Sequence, residues 1–494
     1  MLDHATAANR FGFGARPDDA ASGDVKRALL GQLERFEAKP AAFATAPTRT
    51  TVATGLADYL EETRAYRQQV AALGTGGTNR AARAETMAMD ASGAPTGDSV
   101  QAALRASRRY AGQVARSEYI ALVGARANAA LASPAPFVER LVHFWANHFA
   151  ISIDKLPVIG MGGLLEVEAI RPHVLGKFAD MLMAVETHPA MLLYLDQAQS
   201  VGPNSPVGSA IAARGRRNVG LNENLAREIL ELHTLGVRTG YAQADVTEFA
   251  RAMTGWSVAG ITRGPMARFS QGAPGAFMFV PALHEPGART IMGRRYDQPG
   301  EGQARAVLSD LAGAPATATH IATKLARHFA GDVAPPALIG RLSENFLRTG
   351  GDLASLYRIL IEAPELAAPR VGKFKTPWDW SISALRAVGT RAVEGQAVAG
   401  LMNQLGQPVW KPGSPAGWED KDASWAGPDA LLRRVEAASR IATRAGGTAF
   451  DPRVLAAKVL PGGGASSTLA AIARAESPVE GLALMLVAPE FMRR

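Results

Sequence analysis

Apolar residues recur at helical spacing along most of the chain, and this pattern predicts a mainly helical fold. Amphipathic stretches cover residues 25–36 and 56–73, where apolar side chains return every three or four positions. The same spacing predicts helices over 99–132, 137–149 and 164–185. The predicted fold class is therefore mainly α, a multi-helix globular bundle.

A β signal appears in one part of the chain. The runs 277–280 and 290–292 are rich in Phe, Val, Ile and Met, and a turn-like His-Glu-Pro-Gly string at 284–287 separates them. This arrangement predicts a small β-hairpin excursion near 277–296.

One helix start is marked by its residue types. Thr376 is a predicted N-cap, Pro377 occupies the first helical position, and Asp379 three residues after the cap completes a capping box. A helix is therefore expected to begin at residue 377.

Three stretches of unusual composition interrupt the helical pattern along residues 1–494, a length that allows one or two cores. Residues 74–98 and 200–218 are rich in Gly, Ser, Pro, Thr or Asn and are predicted to be flexible insertions. Residues 405–426 form a Trp/Pro/Gly loop that contains Trp410 and Trp418. These rings are candidates for substrate stacking, and the alternative is that they pack back onto the core.

Charge disfavours nucleic acid as a partner. The 494 residues carry a formal net charge of +8, but the basic side chains are dispersed along the chain. No basic run is interleaved with aromatic residues, and no zinc-finger or RNP-like string is present. The solvated faces of helices account for most of this charge.

Several other classes are excluded or disfavoured by what the sequence lacks. The absence of cysteine excludes disulfides, thiolate metal sites and thiol nucleophiles. No apolar stretch approaches the roughly 20 residues that a membrane span needs. Residues 1–5 show neither the basic nor the apolar region of a secretory signal, so the default expectation for localisation is cytoplasmic.

The first candidate site lies in the aromatic segment 141–149. On a helical wheel, His143 and Asn147 fall about 40° apart, and His148 points about 140° away from His143. His148 and Asn147 are candidate site residues. The alternative is a buried aromatic helix in which both side chains satisfy backbone groups.

The second candidate site is an acidic stripe in the segment 222–236. Asn224, Glu228 and Glu231 share one narrow stripe of a helical wheel, at the edge of the apolar face. Two carboxylates one turn apart repel each other, and partial burial increases the repulsion. A cation, a shared proton or an arginine is expected to offset it.

Arg227 supplies a structural interpretation of the same segment. Glu223, Arg227 and Glu231 are spaced four residues apart, so Arg227 can pair with both acids as a clasp. Asn222 can serve as an N-cap. His233 lies on the opposite side of the wheel and is left out of the candidate site.

Together these residues suggest an enzyme site whose proposed members come from separate segments. Its catalytic candidates are Glu228, Glu231, His148 and His284, the last from the predicted hairpin turn. The substrate-binding candidates are Asn147, Asn222, Asn224, Arg227, Trp410 and Trp418.

Metal-assisted chemistry and metal-free acid/base chemistry both remain open for this site. Oxygen and imidazole ligands from His148, Glu228 and Glu231 suit Zn, Mn or Fe(II), with a bound water as nucleophile, so hydrolytic and oxidative reactions are both open. Without a metal, one carboxylate can be held protonated by the other and act as a general acid.

Many short segments in order also carry a family resemblance. They are 8–14, 144–149, 222–224, 227–228, 231–236, 245–246, 254–256, 284 with 287, 324–325 with 329, 375–377 and 405–408. Together they resemble the bacterial domain-of-unknown-function 1800 family over nearly the whole chain.

The resemblance implies a single, mainly helical family domain and gives no reaction. Members of this family often accompany a sulfatase-like partner that carries a twin-arginine signal. By resemblance, the chain is expected to be exported with such a partner or to work beside it. The alternative to an enzyme is therefore a non-catalytic partner or maturation factor of a sulfatase-like exported protein.

Overall fold

The computed structural model describes residues 2–19, 23–75, 105–106, 108–215, 220–261, 272–367, 372–446 and 451–494. The predicted insertion at 74–98 lies outside the described residues except for the end of one helix at 74–75. The described part of 200–218 contains a helix, Pro206–Ala213. It begins there because the Ser205 hydroxyl accepts a hydrogen bond from the backbone N–H of Gly208 (3.0 Å) and Pro206 fits the first helical position.

Helices dominate the described chain, as the hydrophobic pattern predicts. The α-helices are α1 (His4–Phe11), α2 (Val25–Leu30), α3 (Gln32–Arg35), α4 (Arg49–Thr75), α5 (Ala115–Ala132), α6 (Pro136–His148), α7 (Gly162–Leu165), α8 (Phe178–Glu186), α9 (Pro189–Tyr194), α10 (Pro206–Ala213), α11 (Asn224–Glu228), α12 (Gln243–Met253), α13 (Glu301–Ala312), α14 (Pro315–Ala330), α15 (Pro336–Thr349), α16 (Leu353–Glu362), α17 (Pro364–Ala367), α18 (Pro377–Ala387), α19 (Gly395–Gln404), α20 (Pro428–Arg444), α21 (Pro452–Val459), α22 (Ser466–Ala473) and α23 (Pro478–Leu486). Many of them begin with proline, whose fixed φ suits the first helical turn.

Shorter helical turns of other types join these elements. The π-helical turns are Tyr110–Val114, Glu166–Ile170 and Ile229–His233. The 3-10 turns are Ala41–Phe43, Leu156–Val158, Arg171–His173, Gln197–Gln199, Pro281–Leu283, Asp422–Ser424 and Pro461–Gly463. The helix predicted over 164–185 is instead four successive elements, namely the end of α7, two of these turns and α8. Pro172 lies in the 3-10 turn that precedes the break before α8, and it lacks the N–H that a continuous helix needs.

The strands form two separate two-stranded antiparallel sheets. β1 (Trp256–Val258) pairs with β2 (Phe277–Phe279), and β3 (Arg289–Ile291) pairs with β4 (Arg294–Tyr296). A hairpin thus lies within 277–296 as predicted, but the segments 277–280 and 290–292 do not pair with each other. Met292 and Gly293 both have positive φ, the two-residue turn that fits the twist of a hairpin.

Two large hydrophobic cores hold these elements together. The larger core runs from α1 through α19 and includes Trp145, Phe178 and Tyr357. The second core joins α18 to α20, α21 and α23 and includes Trp380. Among the described residues, no helix is long and apolar enough to cross a membrane.

Helices α5 and α19 approach each other closely because glycines face each other. A Cβ added to Gly395 would overlap the carbonyl oxygen of Ile120 and lie 3.1 Å from the backbone nitrogen of Gly124. Both obstacles are backbone atoms, which cannot rotate away.

We expect Gly395→Ala to lower the free energy of unfolding by about 1–3 kcal/mol, because the added methyl group forces these two helices apart. Gly400→Ala in the same helix is the matched control, since a Cβ there has no neighbour within 4 Å. It should raise stability by about 0.5–1 kcal/mol through better helix propensity. Urea denaturation measures both changes, and equal effects of the two variants would contradict the close approach.

Candidate functional site

The central pocket is a cavity of about 250 Å³ that lies between several helices and the tryptophan loop at 405–426. Side chains of α5, α6, α14 and the start of α18 form its helical walls. Its lining includes Arg126, Arg140, His143, Phe144, Asn147, His148, Lys324, Arg327, His328, Trp378, Asp379, Gln407, Trp410, Trp418, Glu419, Asp420 and Lys421. Of the predicted site residues, this pocket brings together Asn147, His148, Trp410 and Trp418.

Asn147 fastens the tryptophan loop to α6. Its side-chain Nδ2 donates to the carbonyl oxygen of Trp418 (2.9 Å), and the backbone N–H of Trp418 donates to its Oδ1 (2.7 Å). Gly417 makes this close contact possible, because a Cβ there would lie 2.8 Å from the same Oδ1. Its amide thus satisfies backbone groups, as the alternative interpretation of this segment proposed, and its substrate-binding role stays a prediction.

Trp410 packs against the core, as the alternative interpretation of the loop proposed. Its ring covers Gly163, where a Cβ would lie 2.7 Å from the ring, and its Nε1 donates to Glu166 (3.3 Å). Its backbone has a φ of 50°, a left-handed conformation that is strained for a bulky residue. Trp418 is half-buried and lines the central pocket, and its ring lies 6.0 Å from the ring of Trp425.

His148 is a buried imidazole with one nitrogen fixed by the backbone. Its Nε2 lies 3.1 Å from the carbonyl oxygen of His233, and because a carbonyl only accepts, Nε2 must carry the proton. Its Nδ1 is buried and has no hydrogen-bond partner among the described residues. Burial holds the pKa of His148 well below its usual value, with a further contribution from Lys324, so the ring is neutral at neutral pH.

His328 is likewise a buried imidazole with one nitrogen held by the protein, and it was not among the candidates predicted from the sequence. Its Nδ1 donates to Oδ2 of Asp420 (3.0 Å), and its Nε2 is buried without a partner in the described part of the chain. Burial, assisted by the charge of Arg494, lowers the pKa of His328 to about 4. The sequence feature that could have indicated His328 is the four-residue spacing of His320, Lys324 and His328 on α14.

Asp420 stays ionised beside this histidine. Burial raises its pKa, but the hydrogen bond from His328 and the charges of Lys373 and Arg494 outweigh burial and hold the pKa well below the usual value. Its Oδ1 lies 2.9 Å from Nζ of Lys373 and 3.7 Å from Nη2 of Arg494.

A second buried carboxylate, Asp379, borders the pocket at the start of α18. Its Oδ2 lies 2.8 Å from Nη1 of Arg140 and 3.1 Å from Nε of Arg494. Burial raises the pKa of Asp379, and the two guanidinium groups outweigh it, so the pKa falls to about 2. The predicted cap at Thr376 is confirmed, since its hydroxyl accepts from the N–H of Asp379 (3.2 Å). The Asp379 carboxylate itself contacts the two arginines.

The acidic stripe on α11 and the following π-turn lies apart from the central pocket. Arg227 forms the predicted clasp, with distances of 3.3 Å to Glu223 and 3.7 Å to Glu231. Glu228 is half-buried, and burial raises its pKa. Neither Glu228 nor Glu231 lines the central pocket with His148.

The other predicted residues of this segment have structural contacts. The side-chain Oδ1 of Asn222 accepts from the N–H of Asn224 (2.9 Å), and its Nδ2 donates to the carbonyl oxygen of Leu195 (3.3 Å). Asn224 is exposed at the first position of α11. Asn222 therefore acts as a turn residue, close to the capping role that was the alternative.

His284 lies in the connection between the two small sheets and not beside His148. Its Nδ1 donates to the carbonyl oxygen of Thr254 (2.9 Å), and its ring lies 5.3 Å from the ring of Phe279. Burial lowers its pKa. It does not line the central pocket.

The proposed metal ligands do not form a ligand set. Across the described ranges, no group of three or more His, Asp or Glu side chains is arranged to hold a metal ion. His148, Glu228 and Glu231 all belong to those ranges, and Glu231 is directed to Arg227. The residues present therefore do not fit the metal centre that the sequence suggested.

A π-turn explains why the wheel misplaced His233. The wheel assumed 3.6 residues per turn, but Ile229–His233 is a π-helical turn, which is wider. His233 is fully buried, and its Nδ1 lies 2.8 Å from Oε1 of the buried Glu186. This pair and the carbonyl contact to His148 place His233 directly behind the pocket wall.

Comparison with known proteins gives a family and no activity. A family model described as "Protein of unknown function (DUF1800)" matches residues 6–493. A search of curated proteins found no match. A search of solved structures found none either.

Proposed function

We propose that this chain, which belongs to the DUF1800 family, is an acid–base enzyme. In the central pocket, His328 and His148 exchange protons with a bound substrate. The supporting observation is that both rings line one cavity, each with one nitrogen held by the protein and the other without a partner among the described residues. A general base needs this combination of fixed orientation and a free lone pair.

His328 is the stronger candidate for the base. Asp420 accepts a hydrogen bond from Nδ1–H, which fixes the tautomer and leaves Nε2 as the acceptor. When Nε2 takes up a proton, the resulting imidazolium lies beside an ionised carboxylate that stabilises it. Asp420 is thus a positioning residue, and it acts through the histidine.

His148 is suited to the complementary transfer. Its Nε2–H is committed to the backbone of His233, so only Nδ1 can exchange a proton. In a hydrolytic reaction, one ring removes a proton from the water whose oxygen forms a bond to the substrate. The other ring takes up a proton from solvent when the bound substrate raises its pKa, and it gives this proton to the leaving group as the bond to that group breaks.

The catalytic roles predicted from the sequence for Glu228, Glu231 and His284 stay predictions, since these residues do not line this pocket. The non-catalytic role beside a sulfatase-like protein also stays a prediction, because no contact among the described residues favours it.

The experiment measures turnover of p-nitrophenyl phosphate, sulfate and acetate by the purified protein. We expect His148→Gln and His328→Asn each to lower turnover of the cleaved ester roughly 100-fold or more, the usual contribution of a general acid or base. His173→Gln is the control, since its ring also bonds a backbone carbonyl but does not line the pocket. Thermal unfolding checks that the variants are folded. Full turnover in both pocket variants, or no cleavage of any ester by the unmodified protein, would contradict the proposal.

A further inference from the structure

Positive charge exceeds negative charge around the central pocket. Its lining has five lysine and arginine side chains against three carboxylates. The five are Arg126, Arg140, Lys324, Arg327 and Lys421, and the three are Asp379, Glu419 and Asp420. Burial lowers the pKa values of His143, His148 and His328, so these rings are neutral at neutral pH and add no charge to this excess.

The two buried carboxylates are already shared among several cations. Asp379 contacts Arg140 and Arg494, and Asp420 contacts Lys373 and Arg494. Both buried carboxylates of the pocket lining are therefore already paired, and neither is left to balance a further cation.

Arg126 pairs with Glu166 at 2.8 Å and Lys421 is exposed, so Lys324 and Arg327 are the half-buried cations left over. They lie one turn apart on α14, and both line the pocket. Neither side chain has a hydrogen bond or an ion pair with any residue in the described part of the chain. Burial lowers the pKa of Lys324 to about 8, so most of the side chain is still charged at neutral pH. Both side chains are half-buried, and a half-buried cation without a counter-charge gains more from a bound anion than an exposed cation does.

We infer that the central pocket binds a small oxyanion, a phosphate, sulfate or carboxylate group, through Lys324 and Arg327. The inference concerns the substrate of the proposed enzyme, and it also holds for binding alone. The cavity of about 250 Å³ limits the ligand to a small molecule.

An oxyanion at this position would also affect the two histidines. The charge of Lys324 contributes to the low pKa of His148, and Arg494 to that of His328. A bound negative charge offsets both and raises the pKa values toward the range in which imidazole transfers protons well.

Calorimetric titration with inorganic phosphate, sulfate and acetate tests the inference. We expect the full chain to bind at least one of the three anions, and the preferred anion identifies the oxyanion class. Lys324→Met should weaken that binding roughly tenfold to 100-fold, the contribution of a charged hydrogen bond. Lys26→Met removes the same charge from an exposed position on α2 and should bind like the unmodified protein.

Three outcomes would overturn the inference. They are no binding of any of the anions, equal binding by Lys324→Met and the unmodified protein, and equal weakening by Lys26→Met and Lys324→Met. The result is independent of catalysis. Anion binding lost in Lys324→Met, with turnover unaffected in His148→Gln and His328→Asn, would support the anion site and refute the acid–base function.

Discussion

Asp379→Asn is expected to lower the free energy of unfolding by about 3–5 kcal/mol at neutral pH. The carboxylate is almost fully buried between Arg140 and Arg494, each with 1% of its side chain exposed. Removing its charge leaves the guanidinium of Arg140 without its carboxylate and that of Arg494 with only the more distant Asp420, which costs more than the ion pairs themselves contribute. The pKa of Asp379 is lowered to about 2, so its stabilising charge is present above about pH 4 and is lost as the pH falls toward 2.

Urea denaturation at pH 7 measures this loss. Asp429→Asn is the matched control, since Asp429 pairs with Arg433 at 2.9 Å but its side chain is 76% exposed. That variant should lose less than about 1 kcal/mol. A loss of similar size in both variants would mean that burial does not govern the contribution of Asp379.

Glu118→Gln is expected to stabilise the protein at high pH and not at low pH. Glu118 is buried, with 8% of the residue exposed, and its Oε2 has no hydrogen-bond partner among the described residues. Burial raises its pKa from 4.5 to about 7. The folded chain thus keeps a proton that the unfolded chain releases between these values, so stability falls as the pH rises from about 4.5 to 7.

The glutamine variant has no such proton to lose. The pKa shift of Glu118 corresponds to about 3 kcal/mol, which is the upper limit of the gain in the free energy of unfolding expected at pH 8. The gain should disappear near pH 4, where the carboxyl is protonated in both states. Denaturation midpoints at both pH values measure it, and Glu34→Gln at an exposed position is the control. A pH-independent difference would show that folding does not shift the pKa of Glu118.

The parts of the fold that depend on local chemistry could be predicted from the sequence. The Thr376–Pro377 start and the Arg227 clasp are confirmed, because caps and four-residue spacings act within one helix. The family resemblance is confirmed over nearly the whole chain. Strand pairing was wrong in detail, because the partner of Phe277–Phe279 is Trp256–Val258, and a short run of apolar residues does not specify its partner.

The site was harder to predict, because its geometry comes from distant segments and from the backbone. The sequence did single out His148, but the group that fixes its tautomer is a carbonyl oxygen, which no side-chain pattern reveals. His328 and Asp420 are 92 residues apart and meet only in the folded chain. The acidic stripe was placed correctly at the edge of the apolar face, yet an ideal wheel cannot represent the π-turn Ile229–His233 that follows Glu228.

The tie between Asn147 and Trp418 joins positions 271 residues apart. During synthesis, α6 leaves the ribosome long before the loop that completes the pocket wall, and closing so long a loop carries an entropic cost that local helices avoid. The cavity is therefore assembled late, after most of the helices have had the opportunity to form. A small molecule that binds there recognises only chains that have nearly finished folding, and by mass action it stabilises those alone.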